Sequence, residues 1–287
     1  MGDILYNNNN GLVIRDISSD KVYFNSDASA YTVVPETYYY YKMNGNDVDS
    51  SFNDWTPNSN NMGVDVDDFE LGAFGEAWKS VVGLVSLSNY TTSPVFNFFP
   101  GLTSQEKIDV SEGMTISIWI KQDFQSSNEQ GLFYYGNSID LAPITDIDGF
   151  GMLIIDSDLY ITRYRKYSHQ KYKVYSGLTM NEWHNIVYTF PVIIDGTSSG
   201  YNVPDNVYVD GELVWNGVTD NPNLPYSLSN PVLPNYTFGI QIGSLTERQD
   251  NTQFSGLIDE FIMEWKNVWT DEFVKNYYDE SVKLMNI

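Results

Sequence analysis

Cysteine is absent from the 287-residue chain. That excludes a disulfide framework, a thiolate metal site and a cysteine nucleophile. Histidine is scarce, with only His169 and His184. Zinc needs three or four nitrogen, sulfur or oxygen ligands gathered in space, and neither histidine has such neighbours along the chain, so zinc is not expected. Basic residues number 15 against 38 acidic ones, a formal net charge of −23. Such a surface repels nucleic acid and anionic membranes, and neither is expected as a partner. No apolar run is long enough to span a bilayer, so no membrane insertion is expected. The start, MGDILYNNNNG, has no basic region and no apolar run, so no cleaved export leader is expected. Tyr6 also breaks the myristoylation pattern.

What the chain does have is aromatic residues. They make up 15% of it, against 18% for all charged residues together, and 22 of them are tyrosine. Aromatic side chains fit a pleated, half-buried surface, so this composition predicts a folded, strand-rich protein. The length suits one large β domain or two ordinary ones.

Strand patterns run through the second half of the chain. GMTISIWIKQ alternates, with Met114, Ile116, Ile118 and Ile120 on one face and Thr115, Ser117, Trp119 and Lys121 on the other. GLFYYG, GFGMLIID, EWHNIVYTF, YTFGIQIG and SGLIDEFIMEW read as further strands. The stretch from Tyr160 to Tyr175 reads as a hairpin with a polar tip near Ser168, and NVYVDGELVW as a hairpin turning at Asp210-Gly211. TDEFVKNYYDES predicts one short helix, capped by Thr270, with Asp271 and Glu272 in its first turn. Residues 216–235 hold Pro222, Pro225, Pro231 and Pro234 and predict a long surface loop. Residues 1–35 predict a separate N-terminal arm or edge hairpin, and 36–287 a single sandwich. Short strands at regular spacing, divided by turn residues, argue for that sandwich.

The run Tyr38 to Tyr41 poses a choice between a ligand platform and a core strand. Strand neighbours point to opposite faces, so Tyr38 and Tyr40 share one face and Tyr39 and Tyr41 the other. One face of a sandwich strand is buried, which favours packing for two of the four.

Six segments, taken in order, resemble the laminin-G-like, concanavalin-A-like jelly-roll domains of bacterial surface proteins and phage appendages. They are YYKMNGNDVDSS, GAFGEAW, TISIWIK, GLTMNEWHNIVYTF, NVYVDGELV and FSGLIDEFIMEWKNVWTDEFVKNYYDE. The resemblance implies an all-β jelly-roll sandwich with one short C-terminal helix. It makes His184 a framework residue and the IDE triplet before the helix a structural signature. Residues 84–110 and the N-terminal arm depart from the pattern. The resemblance further implies a non-catalytic virion decoration or appendage protein, located on the particle. The arm would dock on other virion or surface proteins, and a cell-surface glycan is a possible partner. The alternatives are a secreted or surface-attached bacterial carbohydrate-binding module and, less favoured, a glycoside hydrolase.

Three candidate sites follow. Some glucanases of this fold use two carboxylates about 5 Å apart as nucleophile and acid. Here period-two alternation puts Glu260 and Glu264 on one strand face, with Ile262 where a third acid would belong and Asp259 on the other face. That favours a structural reading. For calcium, which takes several oxygen ligands, Asp146 and Asp148 in TDIDG are the candidates, expected between strands; Asp65, Asp67 and Asp68 are the second choice. The third is a basic, aromatic patch of Arg163, Tyr164, Arg165, Lys166 and Tyr167 on the first hairpin, with Lys171 and Lys173 nearby. Such a patch can dock an acidic surface or glycan, or it can neutralise the chain's own acids. The sequons at Asn89 and Asn235 matter only in a eukaryotic secretory route.

Overall fold

A computed structural model describes residues 3–4, 13–16, 21–24, 30–32, 38–41, 69–74, 76–80, 96–98, 113–137, 147–166, 168–190, 204–218, 238–243, 254–265, 267–283 and 285. In chain order the strands are β1 (Asp3–Ile4), β2 (Val13–Asp16), β3 (Lys21–Phe24), β4 (Ala30–Thr32), β5 (Tyr38–Tyr41), β6 (Phe69–Leu71), β7 (Glu76–Ser80), β8 (Phe96–Phe98), β9 (Met114–Gln122), β10 (Gln130–Asn137), β11 (Ile147–Ile155), β12 (Asp158–Lys166), β13 (Ser168–Ser176), β14 (Trp183–Phe190), β15 (Pro204–Val209), β16 (Glu212–Val218), β17 (Phe238–Ile242) and β18 (Gly256–Trp265). One helix, α1 (Asp271–Val282), follows them.

Strands β1 to β4 pair with one another in sequence order as a four-stranded antiparallel sheet. The remaining strands form two antiparallel sheets. One has six strands in the order β13-β12-β11-β10-β17-β8. The other has eight, in the order β16-β15-β14-β9-β18-β7-β6, with β5 also paired to β18. The expected all-β sandwich with a single C-terminal helix is the fold adopted. The proline-rich stretch contributes its first residues, Asn216 to Val218, to β16, and the rest of it lies outside the described residues.

The core lies between the two large sheets. Met114, Ile116, Ile118 and Ile120 of β9, with Ile186 and Tyr188 of β14, meet Phe133 of β10, Phe150 and Met152 of β11 and Ile161 of β12. These are the period-two positions of each strand, so the alternation in TISIWIK names the core face directly. Register places the four tyrosines against β18. Tyr39 and Tyr41 stand opposite Met263 and Phe261, both core residues, while Tyr38 and Tyr40 stand opposite Glu264 and Ile262.

The other face of the eight-stranded sheet is buried too, because α1 covers it. Val274, Tyr277 and Ser281 form the buried face of the helix. Trp119 stacks on Tyr278 (centroids 5.8 Å, planes 13° apart) and takes the edge of Phe74 at 5.2 Å. Local chemistry starts and anchors the helix. The Thr270 side chain accepts from Phe273 N, and Asp271 and Glu272 sit at the positive end of the dipole. Tyr208 Oη donates to Asp271 Oδ1 at 2.6 Å, tying the first turn to β15. The β15–β16 turn uses Asp210 (φ 54°) and Gly211 (φ 78°), the two left-handed residues a tight two-residue hairpin requires. Gly211 also lies under the helix, where a Cβ would come within 3.0 Å of Tyr278 Cβ.

Candidate functional site

One end of the sandwich carries a rim of loops bolted to one another. Loop 123–129 joins β9 to β10, turn 156–157 joins β11 to β12, loop 177–182 joins β13 to β14, and residues 254–255 lead into β18. Two buried glutamines hold the first loop. Gln122 Nε2 donates to the carbonyls of Phe124 (3.0 Å) and Asp156 (2.9 Å). Gln130 Nε2 donates to the same Phe124 carbonyl at 3.0 Å, and its Oε1 accepts from Ser255 N at 3.0 Å. Asp156 N donates to Ser126 O, Asn181 N to Gln122 O, and Leu178 N to Ser157 O. On this fixed frame Phe124 is 57% exposed and Met180 40% exposed. Gln125, Ser127 and Asn128 beside Phe124 are exposed as well.

The loop holding Met180 is pinned by the framework histidine. His184 Nδ1 lies 2.7 Å from Asp210 Oδ2, whose other oxygen accepts from Asn185 N at 2.9 Å. On the far side of the ring, His184 Nε2 lies 2.8 Å from Thr179 Oγ1 and 3.1 Å from Thr179 N. Burial pulls the imidazole pKa down, but the hydrogen bond to Asp210 and the charges of Asp210 and Glu182 outweigh it, so the net shift is upward. Hydroxyl, imidazole and carboxylate stand here in the order of a hydrolytic triad. The Thr179 hydroxyl, however, donates its hydrogen to Glu182 Oε2 at 2.6 Å, so the imidazole does not take that proton. The arrangement fastens loop 177–182 to the β15–β16 turn. Sequence reasoning placed His184 in the framework but missed this relay; the short spacing of Thr179, Glu182 and His184 was its signal.

The acids of β18 sit differently from the period-two expectation. A bulge interrupts the pairing with β9 between Asp259 and Ile262, and Glu260 adopts φ 47°. The extra residue resets the alternation beyond it. Asp259, Ile262 and Glu264 therefore stand opposite Trp119, Ser117 and Thr115, on the helix-covered face. Glu260 and Glu264 do not share a face as an alternating pair. Asp259 is buried and holds the turn after β6: its Oδ2 accepts from Phe74 N at 3.1 Å and its Oδ1 from Glu260 N at 2.9 Å. Burial pushes its carboxyl up to about 7, against the Phe74, Glu260 and Ala73 N–H groups, which pull the other way. Glu264 is buried and accepts from Asn267 Nδ2 (2.8 Å) and Trp269 Nε1 (3.0 Å). Asp259 and Glu264 each fasten one segment to another.

Of the calcium candidates, Asp148 is the one the structure describes. Asp148 is the second residue of β11, inside a strand rather than between strands, and it stands opposite Arg165 of β12. Asp146, and the alternative Asp65, Asp67 and Asp68, lie outside the described residues. Among the described residues no group of three histidines or acids could hold a metal ion.

The basic hairpin is also divided. Strand alternation puts Arg163 and Arg165 in the row of Phe150 and Asp148, and Tyr164 and Lys166 in the row of Gly149 and Ile147. Tyr167 lies outside the described residues. Lys171 is ion-paired with Glu129, and Lys173 with Asp158 at 3.1 Å. These two lysines neutralise the chain's own acids. The segment from Arg163 to Lys166 ends β12, whereas the rim adjoins its start at Asp158, roughly 16–26 Å away at about 3.3 Å per residue.

No family model matches the chain, and no curated protein matches it. Solved structures do. Domain 4 of AbnA, a GH43 extracellular arabinanase from Geobacillus stearothermophilus, solved with arabinotriose, superposes with a TM-score of 0.53. It is 14% identical, over 84% of this chain and 97% of that domain. The likeness shows the fold. A Trypanosoma rangeli sialidase (TM-score 0.49, 11% identity) aligns over 84% of this chain but only 32% of its own. The CBM40 domain of the Ruminococcus gnavus IT-sialidase, bound to α2,3-sialyllactose, gives 0.40 at 16% identity, over 56% of this chain and 80% of its own. Among the described residues no helix is long and apolar enough to cross a membrane.

Proposed function

We propose that this chain is a non-catalytic glycan-binding sandwich that acts outside the cell, with a phage particle as its setting. The observation that carries the non-catalytic part is the use of the β18 carboxylates. Asp259 is committed to backbone N–H groups of a turn and a bulge, and Glu264 to the Asn267 and Trp269 side chains. A retaining or inverting glycosidase needs two carboxyl groups facing a sugar across a cleft. Here helix α1 and the Trp269 segment occupy that face of the sheet. The glycan-binding part draws on the likeness to an arabinanase domain solved with arabinotriose, and the phage setting on the family resemblance of the sequence; both are analogies of fold.

Affinity electrophoresis tests the binding claim. In native gels containing arabinan, xylan, galactan or β-glucan, migration of the chain is expected to be retarded by at least one polymer. Unchanged mobility in all of them, at polymer concentrations that retard a known binding module, would remove the glycan from this reading.

A further inference from the structure

We propose that the Phe124 rim is the contact surface for the glycan, and that the sugars it takes are neutral; this rests on the glycan-binding reading above. The sheet face that α1 covers is closed, and the basic hairpin is split between two strand rows. Among the described residues the rim exposes a large flat apolar side chain. Phe124 is 57% exposed within DFQSSN, a run otherwise polar. An isolated exposed aromatic on a loose loop would signify little. This one has its carbonyl held by both Gln122 and Gln130, buried side chains that also tie the loop to Asp156 and Ser255.

A rigid aromatic face binds with little loss of conformational entropy, and a sugar ring presents a matching plane of C–H groups. Gln125, Ser127 and Asn128 lie exposed beside it and supply neutral donors and acceptors suited to hydroxyls. Met180, 40% exposed on the neighbouring loop, adds an adaptable apolar edge.

Charge selects the class of sugar. Three lysines near the rim are already taken: Lys79 by Glu70, Lys171 by Glu129 and Lys173 by Asp158. Asp123, Asp156 and Glu182 are exposed around the loops. A carboxylated or sulfated glycan would meet repulsion there, whereas a neutral one would not.

The experiment compares the intact chain with Phe124→Ala, Met180→Ala and Lys166→Glu in gels containing the neutral polymer that retards the wild type, and in gels containing polygalacturonate. Phe124→Ala is expected to weaken retardation at least tenfold, with an unchanged melting temperature, since the ring is exposed. Met180→Ala is expected to weaken it a few-fold and Lys166→Glu to leave it unchanged. Polygalacturonate is expected not to retard the wild type. Full retention of binding by Phe124→Ala, or its loss in Lys166→Glu alone, would overturn the rim while leaving glycan binding standing. Tighter binding to polygalacturonate than to any neutral polymer would overturn the choice of sugar. A wild type that binds no polymer would overturn both this inference and the reading beneath it.

Discussion

Asp259→Ala is expected to lower the unfolding free energy by about 3 kcal/mol at pH 5, a drop of roughly 6–10 °C in melting temperature. The carboxyl is the acceptor for Phe74 N and Glu260 N, and its removal leaves buried donors without a partner. The same substitution should cost less at alkaline pH. Burial raises the native carboxyl from 3.8 to about 7, so the native state holds a proton that the unfolded chain has released. A raised pKa gives stability that is complete below 3.8 and is lost as pH climbs through about 7. Between pH 5 and pH 8 that loss is on the order of 2–3 kcal/mol, at about 1.4 kcal/mol per unit. The penalty of Asp259→Ala should therefore shrink by that amount over the same interval. His184, also shifted upward, moves stability in the same direction in both proteins, so the difference between them isolates Asp259. Urea unfolding at the two pH values provides the check. A penalty that is equal at both, or larger at pH 8, would mean that Asp259 is ionised in the native state throughout.

Trp119→Ala is expected to cost about 3–5 kcal/mol, the range for deleting a buried large aromatic. Its consequence should be local as well as global. Trp119 is completely buried between Phe74, on the turn after β6, and Tyr278 of α1. Register also places it directly opposite Asp259. Its removal therefore takes the stacking surface from the helix and leaves a cavity over the carboxyl that holds the turn. Amide exchange of residues 271–282 should accelerate at a denaturant concentration where the amides of β9 and β14 remain protected. Trp119→Phe, which keeps a ring against Tyr278, should recover a substantial part of the loss. Exchange that accelerates equally in helix and core strands would show that α1 is not a separately docked element.

Much of the sandwich could be read from the chain because period-two patterning and turn chemistry act locally. The alternation of TISIWIK assigns the core face of β9, and Asp210-Gly211 marks its hairpin through the left-handed residues it demands. Thr270, followed by two acids, marks the start of α1. The bulge in β18 was not legible. Glu260 takes a left-handed conformation that favours glycine or asparagine, and nothing in LIDEFIME announces it. The one extra residue in the bulge shifted every subsequent side chain by one face, so the inferred Glu260–Glu264 pair dissolved. The calcium candidate Asp148 failed as a loop residue for a related reason: a glycine after an acid reads as a turn, but Gly149 lies within a strand, facing Gly136 and Tyr164. The rim was invisible for a third reason. Its character comes from four segments that are distant in sequence, joined through Gln122 and Gln130, and a lone phenylalanine among polar residues carries no periodic signal.

The central claim is that the carboxylates of β18 build the fold and that a sugar is held without being cut. Its most direct test is release of reducing ends from the polymer that retards the chain, measured over a day at micromolar protein. No release above buffer, with the polymer still bound, is the expected result. Steady release that disappears in Glu264→Gln, while that variant keeps the wild-type melting temperature, would contradict it.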